Sequence, residues 1–182
     1  MHLDYNVLAP GPVNLHPEVL KILSLPSIHH RTPEFELLFK NVQTKLKKLF
    51  GTTHEVLCLA ATGTGAMEAA MTNLCSPGEV VITINAGKFG ERWTQIAQAY
   101  GLGVLEIKVP LGQPFDAQQL SALLDQYPQV KKVFFQASET STGVILPTQE
   151  ICRITHSRGV ISVCDAITAC GVFPLPMDLV AP

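Results

Sequence analysis

The chain has 182 residues, 47% of them hydrophobic and only 15% charged, with 13 Lys and Arg against 15 Asp and Glu for a formal net charge of −2. A charged share below the usual ~25% excludes a disordered or supercharged segment, and the near-neutral balance gives no basic footprint for nucleic acid. No apolar run approaches the ~20 residues of a membrane-spanning helix, and the N-terminus lacks a basic stretch followed by an apolar run. The five cysteines (Cys58, Cys75, Cys152, Cys164 and Cys170) show no C-x-x-C spacing, so the expectation is a reduced, cytoplasmic protein. At about 150 residues per domain the length predicts one domain. The low charge content suggests that a partner subunit or further chain covers part of its surface.

In chain order, four prolines and Gly11 mark the first thirty residues as an extended arm, with a short helix over Pro17–Leu23. From Pro33, Phe35, Leu38, Phe39, Val42, Leu46 and Leu49 recur at helical spacing. Thr32 is the expected N-cap, Pro33 the first helical residue and Gly51 the closing glycine of a long amphipathic helix. An alternation follows, with strands expected at Glu55–Ala60, Glu79–Ile84, Gly103–Val109, Val130–Phe135 and Val160–Cys164. Between them lie helices expected at Ala66–Leu74, Phe89–Tyr100, Asp116–Gln126 and Pro147–Ser157. The strands are apolar runs rather than in–out alternations. That pattern predicts an α/β fold, a mostly parallel sheet with helices on both faces.

Ligands of such sheets bind beyond the carboxyl ends of the strands, which directs attention to four clusters. Thr62-Gly63-Thr64-Gly65 is a glycine turn opening a helix, where free N–H groups and two hydroxyls can converge on an anion. A plain capped turn is the alternative. A dinucleotide site is weakened because Glu68 stands where a third glycine belongs and the next strand ends at Asn85 rather than an acid; the P-loop lysine is also missing. In Asn85–Arg92, Phe89 follows a glycine turn and could lie on a planar cofactor or pack into the core. Gln136–Gly143 is strongly polar and, taken alone, reads as a solvated loop. Asp165 ends an apolar strand, where a carboxylate needs a cation or donors, and capping the next turn is the plain alternative. With no metal-ligand spacing near it, a protonated ring nitrogen is the favoured partner over a metal. His29-His30-Arg31 reads as a surface loop or a cationic patch.

Together, PGP (10–12), HHRTPEF (29–35), ATGTGAMEAAMTNL (61–74), PGE (77–79), NAGKFGERW (85–93), ETSTGV (139–144) and CDAITACG (164–171) resemble the class V aminotransferases, the pyridoxal-phosphate enzymes of the alanine–glyoxylate and serine–glyoxylate type. The resemblance implies the large domain of the fold-type I pyridoxal-phosphate enzymes, here truncated, and a homodimer as the active unit. It assigns residues 1–32 to an N-terminal arm and 33–182 to a partial cofactor-binding domain. It implies that Thr62, Gly63 and Thr64 cradle the cofactor phosphate and that Phe89 stacks on the pyridine ring. Thr140 would stand near the ring oxygen, Asp165 would pair with the pyridine nitrogen, Ile167 would lie against the other ring face, and Gly11 would turn near the substrate. The implied reaction is transamination between a small amino acid (alanine or serine) and a 2-oxo acid such as glyoxylate or pyruvate. A cysteine desulfurase-like lyase and a non-catalytic fragment are the alternatives. The Schiff-base lysine and the C-terminal small domain of the family have no counterpart in these residues, so a fragment is the expectation.

Overall fold

A computed structural model describes residues 7–175 and 177–180. The chain divides into two compact units, one ending at Leu46 and the other beginning at Lys47. In the first, α1 (Pro17–Leu23) starts where the sequence places it, with His16 Nδ1 accepting from the Glu18 N–H at 3.3 Å. The long helix α2 (Pro33–Phe50), whose last four residues belong to the second unit, opens on Thr32, whose Oγ1 accepts from the Phe35 N–H at 3.3 Å. It closes on Gly51 at φ 59°, with the Thr52 N–H reaching back to the Lys47 carbonyl at 3.0 Å. That closure needs a left-handed residue, which glycine adopts without strain. None of the α2 residues is buried: in its apolar stripe Leu38, Phe39, Val42 and Leu49 are exposed, and Phe35 and Leu46 are half-buried.

The second unit carries the sheet. Strands β1 (Val80–Asn85), β2 (Gly103–Lys108), β3 (Lys132–Gln136) and β6 (Ile161–Asp165) run parallel in the order β2-β1-β3-β6. Helices α3 (Gly63–Leu74), α4 (Lys88–Ala99), α5 (Gln118–Gln126) and α6 (Thr148–His156) connect or flank them. Alternate strand residues serve opposite faces. Ile82, Ile84, Val133 and Phe135 pack with Leu120 and Leu124 of α5 and Ile151 and Ile154 of α6. Val81 and Phe134 pack with Met67 and Met71 of α3 and with Trp93 and Ile96 of α4. A parallel sheet covered on both faces is the arrangement that the apolar runs predict.

One expected strand does not form. Glu55–Ala60 is in no sheet, and Leu57 and Leu59 are 85% and 57% exposed. An apolar run becomes a strand only beside a ladder partner, and no described strand pairs with this one. A small hairpin, β4 (Ser138–Glu139) with β5 (Val144–Ile145), and the short helix α7 (Met177–Val180) are additions the sequence reading lacks.

A polar network stitches β1, β2 and α4 together. Glu106 Oε1 accepts from Asn85 Nδ2 at 2.9 Å and from Thr94 Oγ1 at 2.8 Å, while Lys108 Nζ lies 3.3 Å from Oε2. Burial pushes this carboxyl up, but the bonds from Asn85, Thr94 and Lys108 outweigh it and hold it below the ordinary 4.5. A depressed carboxyl stabilises the fold fully above that value, and the contribution is lost as pH falls through the lower folded value. Glu106→Gln is therefore expected to cost about 1–2 kcal/mol at pH 7. Urea unfolding should show the gap between variant and parent closing below pH 4.5.

Candidate functional site

The strand order places a reversal between β1 and β3: the chain leaves β1 for β2 on one side and returns to β3 on the other. Such a switch point opens a crevice at the carboxyl ends of the two strands, here at Asn85 and Gln136. The segments that follow these ends, together with the end of β6 and the turn after it, carry Phe89, Thr140, Asp165 and Ile167, four of the eight residues expected at the site.

At the head of α3, Thr62 is the N-cap, its Oγ1 accepting from the Gly65 N–H at 3.1 Å. Gly63 and Thr64 are the first helical residues, so their N–H groups have no acceptor within the helix. A Cβ at Gly63 would stand 3.5 Å from Ile167 Cδ1, closing the gap between this helix head and the turn after β6. Across from it, Asp165 ends β6 half-buried, and its Oδ1 accepts from the Ile167 N–H at 2.9 Å. Gly63 and Met67, Trp93, and Asp165, Ile167 and Phe173 line one groove of about 860 Å³. That is within the usual range for a small-molecule site.

Phe89 and Thr140 lie off this groove, at the β1/β3 mouth, and are held there by Glu139. The Glu139 side chain is fully buried and accepts five hydrogen bonds: from the N–H groups of Phe89 (3.3 Å), Gly90 (3.0 Å) and Ser141 (3.1 Å), from Ser141 Oγ (2.6 Å) and from Gln136 Nε2 (2.7 Å). It thereby joins the start of α4 to the turn bearing Thr140. The polar run Gln136–Gly143 is thus not the solvated loop that its composition suggests, since Gln136, Ala137 and Glu139 are fully buried. Donors from the head of α4, from β3 and from the turn satisfy both oxygens of this buried carboxyl group.

Two further contacts close the circuit. Thr140 Oγ1 meets Thr168 Oγ1 at 3.2 Å, tying the hairpin to the turn after Asp165. Arg92 NH1 donates to Thr64 Oγ1 at 3.1 Å, tying α4 to the head of α3. These bonds tie together the segments that carry Thr62, Gly63, Thr64, Phe89, Thr140, Asp165 and Ile167; Gly63, Asp165 and Ile167 line the groove, and Phe89 and Thr140 stand outside it. Gly11 belongs to the first unit, where a Cβ would meet nothing within 4 Å. In that unit the rings of His29 and His30 stack at 4.7 Å. Glu139 and Arg92 are the residues whose parts the sequence reading did not assign. Gln136 and Ser141 lie beside Glu139 in sequence, but its α4 partners and the Thr64 partner of Arg92 lie 49, 50 and 28 positions away, where no local spacing marks them.

Cys164 stands beside Asp165 at the end of β6. Burial, with Cys152 and the Asp165 charge nearby, pushes its thiol well above the ordinary cysteine range. The thiolate is the reactive form.

Comparison with known proteins matches residues 18–180 to the family described as Aminotransferase class-V. A soluble hydrogenase small subunit from a Synechococcus species is 39% identical over 175 residues, covering 94% of this chain and 46% of that protein. An L-aspartate–glyoxylate aminotransferase from Paracoccus denitrificans is 34% identical over 141 residues, covering 76% of this chain and 36% of its own length. The crystal structure of an alanine–glyoxylate aminotransferase from a Nostoc species superposes with a TM-score of 0.91 at 30% identity, over 99% of this chain and 48% of that one. The chain spans about half the length, or less, of the curated relatives it matches.

Proposed function

From its place in the aminotransferase class V family, to which the chain belongs, we propose that it supplies the pyridoxal-phosphate-holding part of a transaminase. The reaction proposed, for a protein of the relatives' length, moves an amino group between a small amino acid (alanine or serine) and a 2-oxo acid such as glyoxylate or pyruvate. Homodimer formation is part of the same proposal. The observation that carries the reading is the meeting of the Gly63 helix head, Asp165 and Ile167 in one groove.

The residues fit the group. Pyridoxal phosphate is a dianion on a planar, protonatable ring. The Gly63 and Thr64 N–H groups have no helical acceptor, Thr62 Oγ1 already accepts one bond and keeps its proton to donate, and Gly63 leaves open the space a Cβ would fill. When bound, the cofactor supplies a sink for negative charge developing at the substrate α-carbon. The chain's residues would do the rest. Thr62, Gly63 and Thr64 hold the phosphate, and Phe89 and Ile167 flank the ring. Thr140 offers a hydroxyl to the ring oxygen. Asp165 holds a proton at the ring nitrogen, since a carboxylate there favours the protonated form.

Calorimetric titration with pyridoxamine 5′-phosphate tests this, because the amine cannot react with surface lysines. The parent chain should bind. Asp165→Asn, which keeps size but loses charge, should weaken binding about tenfold or more, the usual worth of a hydrogen bond to a charged group. Pyridoxamine, which lacks the phosphate, should lose as much, because Asp165 acts on the ring. Affinities within about twofold of the parent would remove Asp165 from the site.

A further inference from the structure

Arg92 occupies an unusual position. It lies on α4, half-buried, and makes no ion pair with a carboxylate among the described residues. Its NH1 donates to Thr64 Oγ1 at 3.1 Å, and its Nε is buried without a hydrogen-bond partner. A guanidinium has donors only and stays charged. A partly buried cation with no counter-ion is costly unless an anion comes to it. The nearest place built for one is the head of α3, where Thr64 itself sits.

The contact also fixes chemistry at Thr64. A hydroxyl has one proton and two lone pairs. With Arg92 donating to it, Thr64 Oγ1 is the acceptor in that contact, and its own proton is free to point elsewhere. We propose that Arg92 is a positioning residue for phosphate recognition: it commits the Thr64 hydroxyl to donating toward the anion at the head of α3 and adds positive charge behind it. This rests on the cofactor reading above, but it makes a separate claim, that selectivity for the phosphorylated ligand over its unphosphorylated form depends on Arg92.

The test compares the parent chain with R92Q, R92K and T64V by calorimetric titration, using pyridoxamine 5′-phosphate, pyridoxamine and inorganic phosphate. R92Q should lose about tenfold or more in affinity for pyridoxamine 5′-phosphate, the scale of a charge-assisted hydrogen bond. Its affinity for pyridoxamine should stay within about twofold. A merely structural role would lower both together, so equal losses overturn the inference, as does no loss at all. If Arg92 works through Thr64, the double variant R92Q/T64V should lose less than the two single losses combined; full additivity overturns that route. Should R92Q fail to fold by circular dichroism, R92K decides. It keeps the charge without the planar fork, and its affinity ratio between the two pyridoxamine forms should fall, whereas an unchanged ratio overturns the inference. A parent chain that binds phosphate through Arg92 but not pyridoxamine 5′-phosphate would keep this inference and sink the cofactor reading. A parent that binds neither sinks both.

Discussion

Replacing Glu139 by alanine is expected to lower the free energy of unfolding by about 3–5 kcal/mol. The side chain is fully buried, and its two oxygens receive five donors. Removing it leaves the Phe89, Gly90 and Ser141 N–H groups, the Ser141 hydroxyl and the Gln136 amide facing a cavity. Each buried donor without an acceptor costs roughly 1–3 kcal/mol, although water entering the space recovers part of this. Against the ~5–15 kcal/mol that stabilises a typical domain, this is a large fraction. Glu139→Gln should be milder, because it keeps the volume and one oxygen, yet its amide group must confront at least one of the donors that the second oxygen served. Urea unfolding followed by circular dichroism measures both. A midpoint for Glu139→Ala close to that of the parent, with an unchanged slope, would show that the carboxylate does not hold the hairpin to α4.

Gly90→Ala is expected to cost about 2–3 kcal/mol, despite alanine's advantage of roughly 1 kcal/mol over glycine in a helix. The added Cβ would stand 2.6 Å from Gln136 Nε2 and 2.7 Å from both Asn85 Cα and the Ile84 carbonyl oxygen. Two of these are backbone atoms of β1 and cannot swing aside. The helix would have to lift from the strand, lengthening the Gly90 N–H bond to Glu139 and displacing Phe89 beside it. Thermal unfolding reports the loss directly. A variant as stable as the parent would mean that α4 has slack against β1.

What the residues reveal in advance follows the range of the forces involved. Helix α1, the Thr32 cap and the Gly51 closure of α2 are local events, written within a few positions, and they are where the spacing predicts them. The four paired strands are legible because burial on both faces demands uninterrupted apolar runs. The Glu55–Ala60 run has the same composition, but a strand also requires a neighbour, and composition does not encode neighbours. The site divides the same way. Gly63, Asp165 and Ile167 can be found by looking just past strand ends and at a glycine turn. Glu139 reads as solvated in sequence because its neighbours are Ser138, Thr140 and Ser141. Three of its five donors are local, and the α4 N–H groups, some 50 residues earlier in the chain, complete the set that lets a carboxyl group be buried there.

Those separations have a consequence in time. The bonds that shape the site, Glu139 to Phe89 and Gly90 and Arg92 to Thr64, span 50, 49 and 28 positions. Each closes a long loop whose entropy must be lost before the bond returns anything. Helices α3 and α4 can flicker into place within microseconds, but the carboxylate has no reason to leave water until β1 and β3 have paired and brought its donors across. Non-local pairing of this kind slows folding. The pocket is therefore among the last features to be completed as the chain folds, and a partly folded molecule with a native-like complement of helix still lacks it.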